Sequence, residues 1–225
     1  MEQRIIIIAY MLITILLGCQ QKPQYISYPE FYNSVRHLAK GKADLSFDDY
    51  IIKVDSLFSL VPRVPSSYYF KMAQSCADQS RCDLIEKYLI AGFETGLEYN
   101  SGSIPSKIEG CYEQINIALL EENKIHQRNF NYLYKNAIDS MYNIDQKARN
   151  TGIPDVYEVD SLNYNLLLNL IDKYGYPCEK TIGSASAFNA FIMILHMDRD
   201  EGNKVFGPIL NKALAEGDIW PRGYA

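Results

Sequence analysis

Along most of this chain apolar side chains recur at three- and four-residue steps, and no alternating stretch is long enough for a strand, so the pattern predicts an all-α protein. Phe31, Val35 and Leu38 mark a first helix entered at Pro29-Glu30 and closed near Gly41. Ser46 caps a second, with Phe47, Ile51, Val54, Leu57, Phe58 and Val61 on one face before Pro62 and Pro65 stop it. Ser66 or Ser67 caps a third carrying Tyr69, Met72, Ala73 and Cys76, and Asp83 opens a fourth with Leu84, Tyr88, Leu89 and Phe93, ended by Gly96.

The loop Tyr99 to Pro105 interrupts this run, and Ile108, Tyr112, Ile115, Ala118 and Leu119 define the next helix. The strongest periodicity follows: Phe130, Leu133, Tyr134, Ala137, Met141, Ile144 and Ala148 make a long amphipathic helix ending near Gly152. A soft boundary near residue 125 divides an N-terminal helical region, 30–124, from a C-terminal helical domain, 125–225. Leu162, Leu166, Leu167, Leu170, Ile171 and Tyr174 form a further helix, and Ser184 caps another, Ala185 to about Met197, apolar nearly all round and therefore central to the core. The third and fourth helices resemble one tetratricopeptide-type hairpin, in which small Ala73 lets the helices approach; the segment after them does not repeat the pattern.

The N-terminus has a different pattern. The apolar segment Ile5 to Leu17, thirteen residues long, would make a helix of roughly 20 Å against a hydrocarbon core of about 30 Å, too short to span but the length of a signal-peptide core. Leu16-Leu17-Gly18-Cys19 closes it, and Leu-x-Gly-Cys resembles a bacterial lipobox. The resemblance implies a lipoprotein signal peptide over 1–18, cleavage before Cys19, and lipidation of the Cys19 thiol and new amine, with palmitate among the acyl chains. At about 0.8 kcal/mol per buried CH₂, three acyl chains hold essentially permanently where one binds marginally. Residues 19–29 then read as a polar tether. Gln20 lacks the acidic residue that resembles an inner-membrane retention signal, which favours the outer membrane.

Composition narrows the partners. The formal charge is −5 with no basic run, so there is no electrostatic footprint for phosphate, and nucleic-acid binding is not expected. Apolar residues at 48% can supply a real core. Beyond Cys19 the cysteines are Cys76, Cys82, Cys111 and Cys178, in a compartment where disulfides persist. Cys76 and Cys82 flank a turn and form the candidate bridge, two reduced buried thiols being the alternative; Cys111 with Cys178 is the remaining pair. No Cys-x-x-Cys spacing argues for metal or redox chemistry.

Asp145-Gln146-Lys147-Ala148-Arg149, then Asp160-x-x-Asn163, Gly175-Tyr176-Pro177, Ile182-Gly183, an apolar helix ending in His196, and Ala213-x-x-x-Gly217-Asp218-Ile219 running into Tyr224-Ala225, resemble an uncharacterised family of bacterial helical domains of unknown function. That family continues past Tyr-Ala with Asp-Arg and a terminal Tyr-Gly-Thr-Gln segment. This chain stops at Ala225, which reads as a natural shortening or a truncated frame.

Asp145 and Arg149 stand at i and i+4 with the acid first, the order of an intrahelical ion pair. In a sharper reading Asp145, Gln146, Arg149, Asp160 and Asn163 hold a polar or anionic ligand through Arg149, with Gln146, Arg149 and Asn163 as binding residues. Asp160 otherwise serves as a helix N-cap. His196 is the first choice for a catalytic base because its ordinary pKa lies near neutrality, and otherwise a helix-terminal histidine. His196, Asp198 and Asp200 match no zinc or calcium spacing, and no cofactor is expected. Gly-x-Ser-x-Gly, a phosphate loop and His-Glu-x-x-His are all missing from the sequence. The function this predicts is a membrane-anchored envelope module that binds a ligand or an envelope protein. The alternative is an envelope hydrolase using His196 with Asp145, Arg149 and Asp160.

Overall fold

The computed structural model describes residues 25–98, 108, 111, 116–153, 155–197 and 202–219. The signal segment with Cys19, the pair Asp198 and Asp200, and the Tyr224-Ala225 end lie outside them. Among the described residues the protein is all-α: α1 (Tyr28–Lys40), a short 3-10 turn, α2 (Phe47–Phe58), α3 (Ser66–Asp78), α4 (Cys82–Glu94), α5 (Asn116–Gln127), α6 (Tyr132–Thr151), α7 (Val156–Tyr174), α8 (Glu179–Ile182), α9 (Ser184–Met197) and α10 (Gly202–Glu216). No helix among them is long and apolar enough to cross a membrane.

Local chemistry sets most of the boundaries. Ser27 and Glu30 form a capping box that opens α1, two residues ahead of the entry expected at Pro29. Ser46 accepts the Asp49 N–H and opens α2. The fifth helix is described over Asn116–Gln127; Ile108, where its pattern begins, is helical, and Tyr112 and Ile115 lie outside the described residues. At the end of α3, Ser80 takes a left-handed conformation (φ 54°), the Arg81 N–H donates to the Cys76 carbonyl at 2.8 Å and the Ser80 N–H to that of Ala77 at 3.0 Å, a Schellman closure.

That closure bears on the disulfide. The bridge joins Cys82 to Cys111, with Cα atoms 5.5 Å apart, and not Cys82 to Cys76. Cys76 lies on the inner stripe of α3 with Met72 and Ala73, fully buried, so its thiol points into the core while the turn is closed by backbone hydrogen bonds. Cys76 and Cys178 are both free and buried.

Two hydrophobic cores result. The first gathers Phe31, Ile51, Val54, Phe58, Ala73, Ile85, Leu89 and Phe93 from α1 to α4, with Leu119 from α5. The second gathers Tyr134, Ile138, Leu167, Ile182, Met193, Ile194 and Phe206 from α6 to α10. Leu214 packs against both. In α6 the buried stripe is Tyr134, Ile138, Met141, Asp145 and Ala148, leaving Leu133 and Ile144 exposed against expectation. In α7 it is Val159, Asn163 and Leu167, with Leu162 and Leu166 exposed.

The halves are knitted through α8 and the segment that follows α10. A Cβ on Gly96 (φ +106°) would fall 2.1 Å from the Glu179 carbonyl oxygen, so only glycine permits this approach of α4's end to α8. The Ser184 N–H donates to the Gly96 carbonyl, and the Glu98 carboxylate takes the Ala185 N–H at 2.9 Å and an ion pair from Lys135 at 3.0 Å. After α10, Gly217 (φ +72°) seats against the Tyr28 ring, and the Tyr32 hydroxyl donates to the Ile219 carbonyl.

Candidate functional site

Five of the sequence candidates converge. Asp145 occupies a core position of α6 and is 1% exposed. One turn on, Arg149 places Nε 3.0 Å from Asp145 Oδ1 and an Nη 2.6 Å from Asp160 Oδ1 on α7. His196, in the last turn of α9, brings Nδ1 within 3.0 Å and 3.2 Å of the two Asp145 oxygens. Gln146 donates to Asp145 Oδ2 at 2.8 Å. Asp160 therefore pairs with Arg149 and does not cap α7. Asp155 is the cap, accepting the Tyr157 and Glu158 N–H groups. Asn163 does not join the cluster: it is buried with Nδ2 3.8 Å from the Met193 sulfur.

The hydrogen on the His196 ring follows from its neighbours. Arg149 Nε also lies 2.8 Å from Nδ1, and a ring carrying its hydrogen on Nε2 could accept that N–H. It would then face two acceptor-only carboxylate oxygens with a lone pair. Placing the hydrogen on Nδ1 lets Asp145 accept from His196, Arg149 and Gln146 together and leaves Nε2 with the lone pair, but it gives up the Arg149 Nε–H contact to Nδ1 and requires that N–H to be taken wholly by Asp145 Oδ1 at 3.0 Å. The bland reading of His196 as a helix-terminal histidine is incomplete, since its partner is a buried carboxylate on another helix.

A second polar cluster carried no sequence signal. Lys135 Nζ lies 2.6 Å from Ser186 Oγ, a serine–lysine contact, but it also pairs with Glu98 and with Asp139, whose oxygen accepts the Ser186 hydroxyl at 2.7 Å. Lys135 is thus held by two carboxylates as well as by the serine, the arrangement of a structural ion-pair network. This cluster ties α6 to α9. Among the described residues no group of three His, Cys, Asp or Glu side chains is arranged to hold a metal ion.

A cavity of about 520 Å³ lies between the two cores. One long wall is α9, through Ala187, Phe188, Phe191, Ile192 and Leu195; Phe70 of α3, Leu97 and Ile219 complete the apolar lining. This explains why α9 is apolar nearly all round: Ala190, Met193, Ile194 and Met197 fill the core, while the other face lines the cavity, leaving Phe188 60% exposed. The polar lining is Ser66, Ser67, Tyr176, Glu179, Ser184 and Asp218. α3 has no side-chain cap of its own, contrary to the expectation that Ser66 or Ser67 provides it; the Glu179 carboxylate accepts the Ser66 N–H at 2.8 Å instead. The hydroxyls of Ser66, Ser67 and Tyr176 are buried without a hydrogen-bond partner among the described residues. Burial pushes the Tyr176 phenol well above its usual range, so it stays a neutral donor. Asp218 is paired with Arg63, whose charge that pairing sustains against burial.

No known family pattern, curated protein or solved structure matches this chain.

Proposed function

We propose that this protein is a lipid-anchored binding module of the bacterial envelope, held on the outer membrane through Cys19, with the cavity between α3 and α9 as its ligand site. The observation that carries the reading is the uncovered apolar face of α9 ending beside three orphaned hydroxyls. A concave, mostly apolar space of a few hundred Å³ with a few polar groups is what a small-molecule site requires. Leaving buried hydroxyls unpaired costs roughly 1–3 kcal/mol each, which a ligand supplying partners recovers. The N-terminal helices supply one wall of this cavity, and α9 the longer one. The Cys82–Cys111 bridge supports an oxidising compartment such as the envelope.

Phe188→Glu puts a charge on the apolar wall at an exposed position. It is expected to abolish binding of a neutral naphthylamine fluorophore by the full chain at an unchanged urea midpoint; undiminished binding removes the reading. For the anchor, Cys19→Ser should move the protein from the membrane fraction to the soluble one, and full retention on membranes would contradict lipidation.

A second reading, an envelope hydrolase, is favoured by the Asp145–His196 geometry, in which a buried carboxylate orients the ring and leaves Nε2 basic. His196 is its base, Asp145 the orienting group, and Arg149 with Asp160 the frame. Ester or amide turnover that is lost in His196→Ala and kept in Phe188→Glu would select it.

A further inference from the structure

The polar groups of the cavity gather at one end. Glu179 belongs to α8, which runs through Gly183 directly into α9, and it accepts the N–H of Ser66. Tyr176 lies two residues before α8's N-cap, Cys178, and its phenol feels the charge of Asp218. Leu195, at the far end of the α9 wall, is eleven residues from Ser184, about 16 Å along the helix. The cavity is thus a one-ended amphipathic slot, and its length suits an extended chain of about a dozen carbons, each bond of ~1.5 Å advancing it a little less than that.

The polar end also discriminates by charge and by hydrogen-bond sense. No Lys or Arg is among the described lining residues, and the nearby Arg63 is paired with Asp218. The anion position at the start of α3, which backbone N–H groups and the helix dipole would otherwise offer to a ligand carboxylate or phosphate, is taken by Glu179. An anionic head would therefore meet a carboxylate and no free cation. An ammonium head would find a carboxylate but could accept nothing from the Ser66, Ser67 and Tyr176 hydroxyls. Those hydroxyls each donate once and also accept, so the matching head both accepts and donates without net charge.

We propose, building on the ligand-site reading above, that the cavity takes a glycerol monoester of a fatty acid, its hydroxyls and ester carbonyl against Ser66, Ser67, Tyr176 and Glu179 and its single chain along α9. The neutral diol supplies donors to Glu179 and acceptors to the phenol, and the apolar wall buries the chain.

The test is photoaffinity labelling of the full chain in amphipol with dodecyl probes that share one diazirine-bearing chain and differ in head: glycerol ester, carboxylate or ammonium. The glycerol ester should label the 184–197 peptide at least ~10-fold more than the other two, the advantage conferred by about one well-made hydrogen bond. Excess unlabelled glycerol monolaurate should remove the label. The double variant Ser66→Ala/Tyr176→Phe should bring the glycerol ester and the ammonium within about twofold of each other, since it deletes two of the discriminating hydroxyls, while the carboxylate, still facing Glu179, stays weaker. Equal labelling by all heads of the unaltered protein, stronger labelling by carboxylate or ammonium, or a preference untouched by the double variant overturns the monoester assignment while leaving an apolar site. Label absent from α9 with every head, or undiminished in Phe188→Glu, overturns the ligand site itself and the monoester with it.

Discussion

Asp145→Ala is expected to lower the unfolding free energy by about 3 kcal/mol, toward the lower end of the range for stripping one partner from a buried ion pair. Asp145 is 1% exposed and accepts from Arg149, His196 and Gln146, so its loss leaves three donors facing a void on α6. Arg149 keeps Asp160 and is itself about a quarter exposed, which holds the cost below the full penalty. Urea unfolding of the variant should show a lower midpoint with an unchanged slope. His196→Ala should cost less, because the carboxylate keeps Arg149 and Gln146 and the ring is a quarter exposed. A loss under about 1 kcal/mol for Asp145→Ala would mean the cluster is a solvated surface pair. The contrast also separates roles: if His196→Ala removes an activity while leaving the midpoint nearly unchanged, the ring serves chemistry, with Asp145 positioning it.

Removing the Cys82–Cys111 bridge is the second large effect. The bridge closes 29 residues, for which chain entropy alone gives roughly 3–4 kcal/mol of stabilisation through the unfolded state. The double variant Cys82→Ser/Cys111→Ser, or the wild type under reductant, should therefore unfold at a clearly lower urea concentration, and Cys76→Ser should not reproduce that loss of linkage on non-reducing peptide maps. Burial raises the Cys76 thiol to about 11, so it should resist alkylation near neutral pH until the protein unfolds. A peptide map linking Cys76 to Cys82, or an unchanged midpoint under reductant, would refute the assignment.

How much of this was legible in the sequence depends on the range of the interaction. The caps of α2 and the end of α6 at Gly152 could be read because the partners lie within a turn of each other. The α3 start was misread because its cap is Glu179, more than a hundred residues away and visible only once α8 packs against it. In α6 and α7 part of the apolar pattern faces inward as expected, through Tyr134, Met141, Ala148 and Leu167, and part does not. Ile144 and Leu162 were read as inward, yet the structure turns in Asp145 and Asn163, because a carboxylate with three donors can occupy a core site that composition assigns to an aliphatic side chain. Asp145, Arg149, Asp160 and His196 could be nominated from the sequence as one hydrolase site by residue type, but their contacts could not, since only the packing of α9 on α6 brings the histidine to the carboxylate.

The sequence by itself determined the helical class, the apolar segment ending at Cys19, and the unusual all-round hydrophobicity of α9, each a matter of local period or composition. The tertiary structure decided which cysteine Cys82 meets, why Asp145 is tolerated inside, and that one face of α9 lines a cavity when the whole helix had read as core. The physical reason is the same in each case: helical propensity and periodicity are set by neighbours within a few residues, whereas burial, charge pairing and cavity shape are set by elements that meet only after the chain has folded.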